Sequence, residues 1–210
     1  MKRAFLAAIL AAVVAAGAAT ASGGPTLSDP SSLKATAPAT FNAKFVTTQG
    51  SFVISVTRAW SPKGADRFYN LVLNHFYDNQ PLFRVIPGRY VQWGIHMTPK
   101  IAKVWKRATI KDDKPVKKNA KWKVTFANAG ANTRTTQIFV NLGGNFYLDK
   151  RPGFSPFGEV TQGMSVFPHL YHGYGEGPST YQSYLVAYGG KWVHHNYPKL
   201  DWITTARIVS

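Results

Sequence analysis

The sequence predicts a mainly β domain, a barrel or sandwich of short antiparallel strands with few helices. Three observations carry that expectation. Short runs rich in β-branched and aromatic residues recur between clusters of Gly, Pro and Asn. Two alternating runs flank a Gly-containing turn near the start, and only one segment carries a long helical stripe.

The elements follow in chain order. Phe41, Ala43 and Phe45 alternate with polar neighbours, Gln49-Gly50 supplies a turn, and Phe52, Ile54 and Val56 alternate again, which is a hairpin pattern. Ser61 then offers an N-cap and Pro62 a first-turn residue. Ala65, Phe68, Tyr69, Val72, Leu73 and Phe76 share one helical face, predicting a core-packing helix of about four turns. β-like runs follow at 83–86, 90–95, 123–127, 137–142 and 157–160. A final run at 202–209 is suited to closing a barrel against the first strand. Residues 173–177 read as a loop, and 180–195 as partly helical with a break at Gly189-Gly190.

A chain of 210 residues, 45% of them apolar, can bury enough surface to fold without a disulfide or structural metal. Zero Cys excludes disulfides, thiolate nucleophiles and zinc-cysteine sites together. The net charge of +16 points to anionic surroundings or partners. At the N-terminus, Lys2 and Arg3 precede an apolar stretch from Ala4 to Ala16, and Ala19-Thr20-Ala21 forms a small-x-small site. Residues 1–21 therefore read as a cleavable signal peptide, placing the protein in a periplasm or outside the cell. Its removal leaves 23 basic residues against the same 9 acidic ones, a net of +14. Residues 22–40 read as a flexible lead-in and 41–210 as one domain, in which 175–200 is an extension before the closing strand.

One ordered set of motifs resembles a known family. Phe83-Arg84-Val85-Ile86-Pro87-Gly88 is followed by Gln92-x-Gly94, then by Phe126-Ala127-Asn128-Ala129-Gly130-x-Asn132-Thr133. Thr136-Gln137-x-Phe139-Val140, Leu148-Asp149 and Phe157-Gly158-Glu159-Val160 complete the string. Over residues 41–168 this resembles the cyclophilin-type peptidyl-prolyl cis-trans isomerases, and Pro198-Lys199-Leu200-Asp201 resembles the end of an exported bacterial branch. The resemblance implies a closed eight-stranded antiparallel barrel capped by helices, a substrate groove on its outer face, proline-containing polypeptide segments as partners, a monomer, and no cofactor or metal.

Such a catalyst needs no covalent step. The X-Pro amide faces a rotation barrier of roughly 20 kcal/mol because its nitrogen lone pair is delocalised into the carbonyl. A donor aimed at the prolyl nitrogen favours the twisted state, in which that nitrogen is pyramidal and more basic. The resemblance assigns that donor to Arg84, with Gln92 holding its fork. It gives Phe139 and Leu148 the proline socket, and Ala127, Asn128 and Gln137 the flanking peptide backbone. Read as residues alone, Arg84 is equally a surface ion-pair arginine, Phe139 and Leu148 ordinary barrel core, and Asn128 and Gln137 turn or strand-edge polar groups.

Four positions depart from the family pattern. Arg89 stands where Phe usually forms socket wall, so it is expected either to enter the groove and reduce activity or to snorkel outward and leave Tyr90, in place of the usual Met or Val, as the wall. Tyr147 replaces a Trp that contacts cyclosporin, and Phe154 lies near the usual groove His.

Two rival readings use the same residues: a proline-peptide-binding chaperone or scaffold with little turnover, and an anion-binding envelope protein. The latter would use ten Lys and Arg between Lys100 and Lys123, interleaved with Trp105 and Trp122. That tract reads first as a solvated loop, with no motif for specific nucleic-acid binding. His169, His172, His194 and His195 read as surface or loop residues rather than metal ligands.

Overall fold

The computed structural model describes residues 26–210, so the expected signal peptide lies outside the described residues, as does the start of the lead-in. The hairpin is present as strands β1 (Thr40–Thr47) and β2 (Gly50–Thr57), with Thr47 opposite Gly50 at the turn. Their inward residues Phe41, Ala43, Phe45, Phe52, Ile54 and Val56 are all buried. Phe45 and Phe52 stack with centroids 5.2 Å apart, and Trp93 meets both edge-on. Helix α1 (Pro62–Leu73) buries Ala65, Phe68 and Val72 against this hairpin.

Two details of α1 differ from expectation. It stops before Phe76, because His75 adopts a left-handed φ of 59°. Leu73, the last residue of the helix, is exposed, while Phe76 reaches the core after the turn. Ser61 does not cap the helix with its own hydroxyl. The cap is Asp113, whose carboxylate accepts from the N–H groups of Lys63 (3.2 Å) and Gly64 (3.0 Å) and from the Ser61 hydroxyl (2.6 Å). Buried Arg134 lies against the same carboxylate at 3.0 Å.

The remaining strands are β3 (Gln80–Pro81), β4 (Arg84–Ile86), β5 (Tyr90–Trp93), β6 (Lys123–Phe126), β7 (Ile138–Asn141), β8 (Gly158–Gln162) and β9 (Trp202–Val209). They form one sheet in the order β3-β9-β1-β2-β8-β6-β7-β5-β4 with every pairing antiparallel. The last strand does pair with the first. The expected closed eight-stranded barrel is corrected, however: the sheet is an open, strongly curled half-barrel of nine strands. Its end strands β3 and β4 are joined by only Leu82 and Phe83, yet they do not pair. β3 is two residues long and its Pro81 has no N–H to donate, while the N–H of Leu82 goes to the Asp201 carbonyl at 2.9 Å. Phe83 turns instead into a second core cluster with Ile95, Ala102, Leu185, Val193 and Leu200.

That second cluster joins helix α2 (Pro99–Trp105) to the C-terminal helix α4 (Gln182–Asn196), which follows the short helix α3 (Gly177–Thr180). The solvated loop expected over 100–123 therefore begins as a helix. Lys100, Lys103 and Lys106 face water, while Ala102 and Trp105 are buried between them. Gly189 kinks α4 with φ 66°, and a Cβ there would sit 2.1 Å from the Met97 carbonyl, so only glycine lets the helix lie this close. In the described part of the lead-in, the N–H groups of Ala35 and Ala37 bond to Asn70 and Asp66 of α1. Among the described residues no helix is long and apolar enough to cross a membrane.

Candidate active site

Strand register builds the site. Gln92 sits opposite Arg84 on one side and Phe139 on the other, so all three side chains project from one face of the sheet. Their neighbours Val85, Val91 and Val140, also in register, point into the core on the opposite face. The outward row is continued by Tyr90, and a groove of about 620 Å³ opens along it. All ten residues assigned from the sequence line this groove: Arg84, Tyr90, Gln92, Ala127, Asn128, Gln137, Phe139, Tyr147, Leu148 and Phe154. Sequence reasoning did not assign Lys106, Thr109, Thr135, Arg151 and Gln182, which line it too.

The apolar end of the groove is a small cluster of Tyr90, Phe139 and Leu148, with Ile86, Ala127 and Phe154 packed around it. Tyr90 and Phe139 meet edge-on at 6.1 Å, and Phe139 and Phe154 lie 6.3 Å apart. This cluster is separate from the main core, so Phe139 and Leu148 face the groove and are not barrel interior. Burial raises the pKa of the Tyr90 hydroxyl, which stays protonated and able to donate.

Beside the socket runs a relay of polar side chains. Arg84 Nη1 donates to Gln92 Oε1 (2.9 Å), Gln92 Nε2 donates to Gln137 Oε1 (2.8 Å), and Gln137 Nε2 donates to Gln182 Oε1 (2.9 Å). Gln137 is thus engaged with its neighbours in this state. Asn128 forms a turn, accepting from the Gly130 N–H (3.1 Å) and donating to the Pro152 carbonyl (3.3 Å). Gly94, just after β5, has φ 114°, and a Cβ there would lie 2.4 Å from the Thr136 carbonyl; glycine allows β5 and the 136–137 segment to approach closely enough for the relay to form.

Arg89 is exposed and lies outside the groove lining, its Nη2 3.5 Å from the Tyr147 hydroxyl and its guanidinium 5.5 Å from the Tyr90 ring. Of the two placements expected for Arg89, entry into the groove or an outward course, the structure shows the outward one. Gly88 has φ 71° in the preceding turn and Arg89 leaves it pointing outward, while Tyr90, 8% exposed, supplies the wall.

Another residue that the sequence reading passed over meets Arg84. Glu176, from the segment before α3, accepts from Arg84 Nε at 2.5 Å and Nη2 at 2.8 Å, and Tyr90 Oη lies 3.3 Å from the same carboxylate. The Arg84 hydrogen bonds, chiefly, hold its carboxyl below the ordinary value of 4.5. Its one sequence signal was isolation: Glu176 is the only acidic residue between Glu159 and Asp201.

A curled antiparallel sheet here presents a guanidinium beside an apolar notch, with amide side chains along the groove, a frame suited to holding an extended peptide. The chain matches the model of the family described as Cyclophilin type peptidyl-prolyl cis-trans isomerase/CLD over residues 43–182, and it belongs to that family. It is 31% identical over 134 residues to peptidyl-prolyl cis-trans isomerase-like 1 of Gibberella zeae, covering 62% of this chain and 82% of that protein. It is 28% identical over 128 residues to a peptidyl-prolyl cis-trans isomerase of Schizosaccharomyces pombe, covering 60% and 81%. A cyclophilin-type isomerase of Cryptosporidium parvum has the same fold, with a TM-score of 0.58 at 16% identity, covering 81% of this chain and 98% of that one. Both sequence relatives are fungal, so they carry the family and not the exported bacterial branch. Isomerisation of proline-containing peptides is the function this membership supports.

Proposed function

We propose that the protein is an exported peptidyl-prolyl isomerase in which Arg84 stabilises the twisted amide while the proline ring sits against Tyr90, Phe139, Leu148 and Phe154. The observation that carries this reading is the register of Arg84, Gln92 and Phe139 in one outward row, which sets a donor fork directly beside the apolar notch. The groove of about 620 Å³ carries its apolar cluster at one end and polar side chains along the rest, which suits a proline ring flanked by extended peptide. Burying that ring contributes binding energy in both ground and transition states, whereas a bond from Arg84 to the pyramidal nitrogen strengthens only in the transition state and so raises the rate. Ala127, Asn128 and Gln137 would hold the backbone on either side, with Gln137 exchanging its bond to Gln182 for one to substrate.

The substrates in this reading are unfolded or flexible exported polypeptides, and the enzyme acts as a single chain without a cofactor. Lys106 and Arg151 in the groove favour acidic residues near the substrate proline. The export part rests on the charged, apolar and small-x-small order of residues 1–21. The test is an NMR exchange or protease-coupled assay on an X-Pro peptide series. The wild type accelerates exchange and Arg84→Ala abolishes the acceleration while peptide binding persists. A wild type that binds peptide without turnover would replace the enzyme by a peptide-binding module.

A further inference from the structure

We infer that Glu176, carried by the C-terminal extension, is a positioning residue for Arg84, so that the catalytic fork of this chain is completed from outside the sheet. The inference rests on the proposal that Arg84 is the catalytic donor and names what holds it.

The geometry of the guanidinium makes the argument. Arginine has five N–H groups in a planar fork. Glu176 occupies Nε and one hydrogen of Nη2, and Gln92 occupies one hydrogen of Nη1. The remaining N–H groups are one on Nη1 and one on Nη2. One face of the fork lies 4.5 Å from the Tyr90 ring. Two of its in-plane directions and one face are therefore fixed. Glu176 is absent from the groove lining while Arg84 and Gln92 are part of it, so the carboxylate holds the arginine without filling the space a substrate takes.

Glu176 is itself held. Ser179 Oγ donates to Glu176 Oε2 at 2.9 Å and to its carbonyl at 2.8 Å. The N–H of Gly177 bonds to the Tyr174 carbonyl at 2.9 Å, and Tyr174 is packed edge-on between Tyr171 and Tyr197, with centroids 4.9 and 5.1 Å away. An arginine side chain loses rotamer entropy when it is fixed. A carboxylate that fixes it before substrate arrives removes that loss from the catalytic step. Tyr90 belongs to the same device: its ring stacks under Arg84 and its mostly buried hydroxyl finds its acceptor in Glu176.

The test uses the full chain and three variants, Glu176→Ala, Glu176→Gln and Arg84→Ala, on one X-Pro peptide. Glu176→Ala is expected to lower kcat by about tenfold or more with KM little changed, as misplacement of a catalytic group does. Glu176→Gln, whose amide oxygen still accepts one bond, falls between. The Arg84 Nε–H resonance, slow to exchange in wild type, shifts and exchanges faster in both Glu176 variants, a signature that a merely structural role would not give. Wild-type or higher kcat in Glu176→Ala overturns the inference and makes the carboxylate a competitor for the fork. Activity surviving in Arg84→Ala sinks the catalytic reading itself, whereas loss in Arg84→Ala with no effect at Glu176 sinks only the positioning role. Should Glu176→Ala fold poorly, the near-isosteric Glu176→Gln decides by the same kcat and resonance.

Discussion

Replacing Arg84 by lysine separates charge from geometry. Lysine keeps the positive charge but loses the planar fork, so it cannot at once donate to Gln92 and pair with Glu176 through two nitrogens, as Arg84 does over the Tyr90 ring. The side chain of Arg84 is 27% exposed and that of Glu176 49%, so the pair itself adds about 1 kcal/mol or less to stability. Arg84→Lys should accordingly unfold within a few degrees of wild type. The transition-state bond is another matter. A hydrogen bond to a charged group contributes about 1.5 to 3 kcal/mol, and with 1.36 kcal/mol per tenfold in rate that is a loss of roughly 10- to 150-fold in kcat/KM. The loss falls mainly on kcat, because a flexible ammonium still meets the peptide but no longer stands where the prolyl nitrogen becomes basic. NMR exchange spectroscopy on an X-Pro peptide reads both parameters. An Arg84→Lys enzyme within twofold of wild type would refute the reasoning, since charge near the notch would then suffice and the fixed fork would be irrelevant.

Two further outcomes follow from the structure. Asp113→Asn, which leaves fully buried Arg134 without its nearest carboxylate, should cost about 3 kcal/mol in urea unfolding at pH 7. Although burial opposes it, the bonds from Ser61, Gly64, Lys63 and Arg134 keep the Asp113 pKa below its ordinary 3.8, so this stability is present above pH 3.8 and is lost as pH falls through the lower folded value. The gap between wild type and variant should shrink between pH 7 and pH 3, and a constant gap would be the contrary result. Arg89→Phe should leave kcat/KM within about twofold, because Arg89 lies outside the groove lining; a large increase in the peptide assay would mean that this position does form socket wall.

What was legible in the sequence was what neighbours in the chain determine. The alternation of Phe41 to Phe45 and of Phe52 to Val56 reports a half-buried hairpin because side chains change face at every residue. The basic tract was misread because its charges were counted and its spacing was not. Lys100, Lys103 and Lys106 recur at the three-residue interval of an exposed helical face, with Ala102 and Trp105 buried between them. The cap of α1 was beyond any local pattern, since Asp113 lies 49 residues after Gly64 and shares no motif with it. Closure failed for a comparable reason: whether β3 meets β4 depends on where the Leu82 N–H and the Phe83 ring go, and both are claimed by the C-terminal residues that form the second core.

The same division runs through the site. The strand motifs brought Arg84, Tyr90, Gln92 and Phe139 into the groove because register is inherited along a strand: once Gln92 faces outward, its partners Arg84 and Phe139 face outward with it. Glu176 has no such lineage, being separated from Arg84 by 92 residues and delivered by a loop and two helices. Yet a departure from the family pattern was already visible at Tyr90. A tyrosine in a position that usually holds an aliphatic side chain brings a hydroxyl into a mostly buried place, and such a hydroxyl needs an acceptor. The Gln92 and Gln137 oxygens already accept from Arg84 and Gln92. The acceptor that the Tyr90 hydroxyl meets is the carboxylate of Glu176, 3.3 Å away and the lone acidic residue between Glu159 and Asp201. A departure inside a motif is thus a pointer to a residue outside it, and here Tyr90 and Glu176 meet on Arg84.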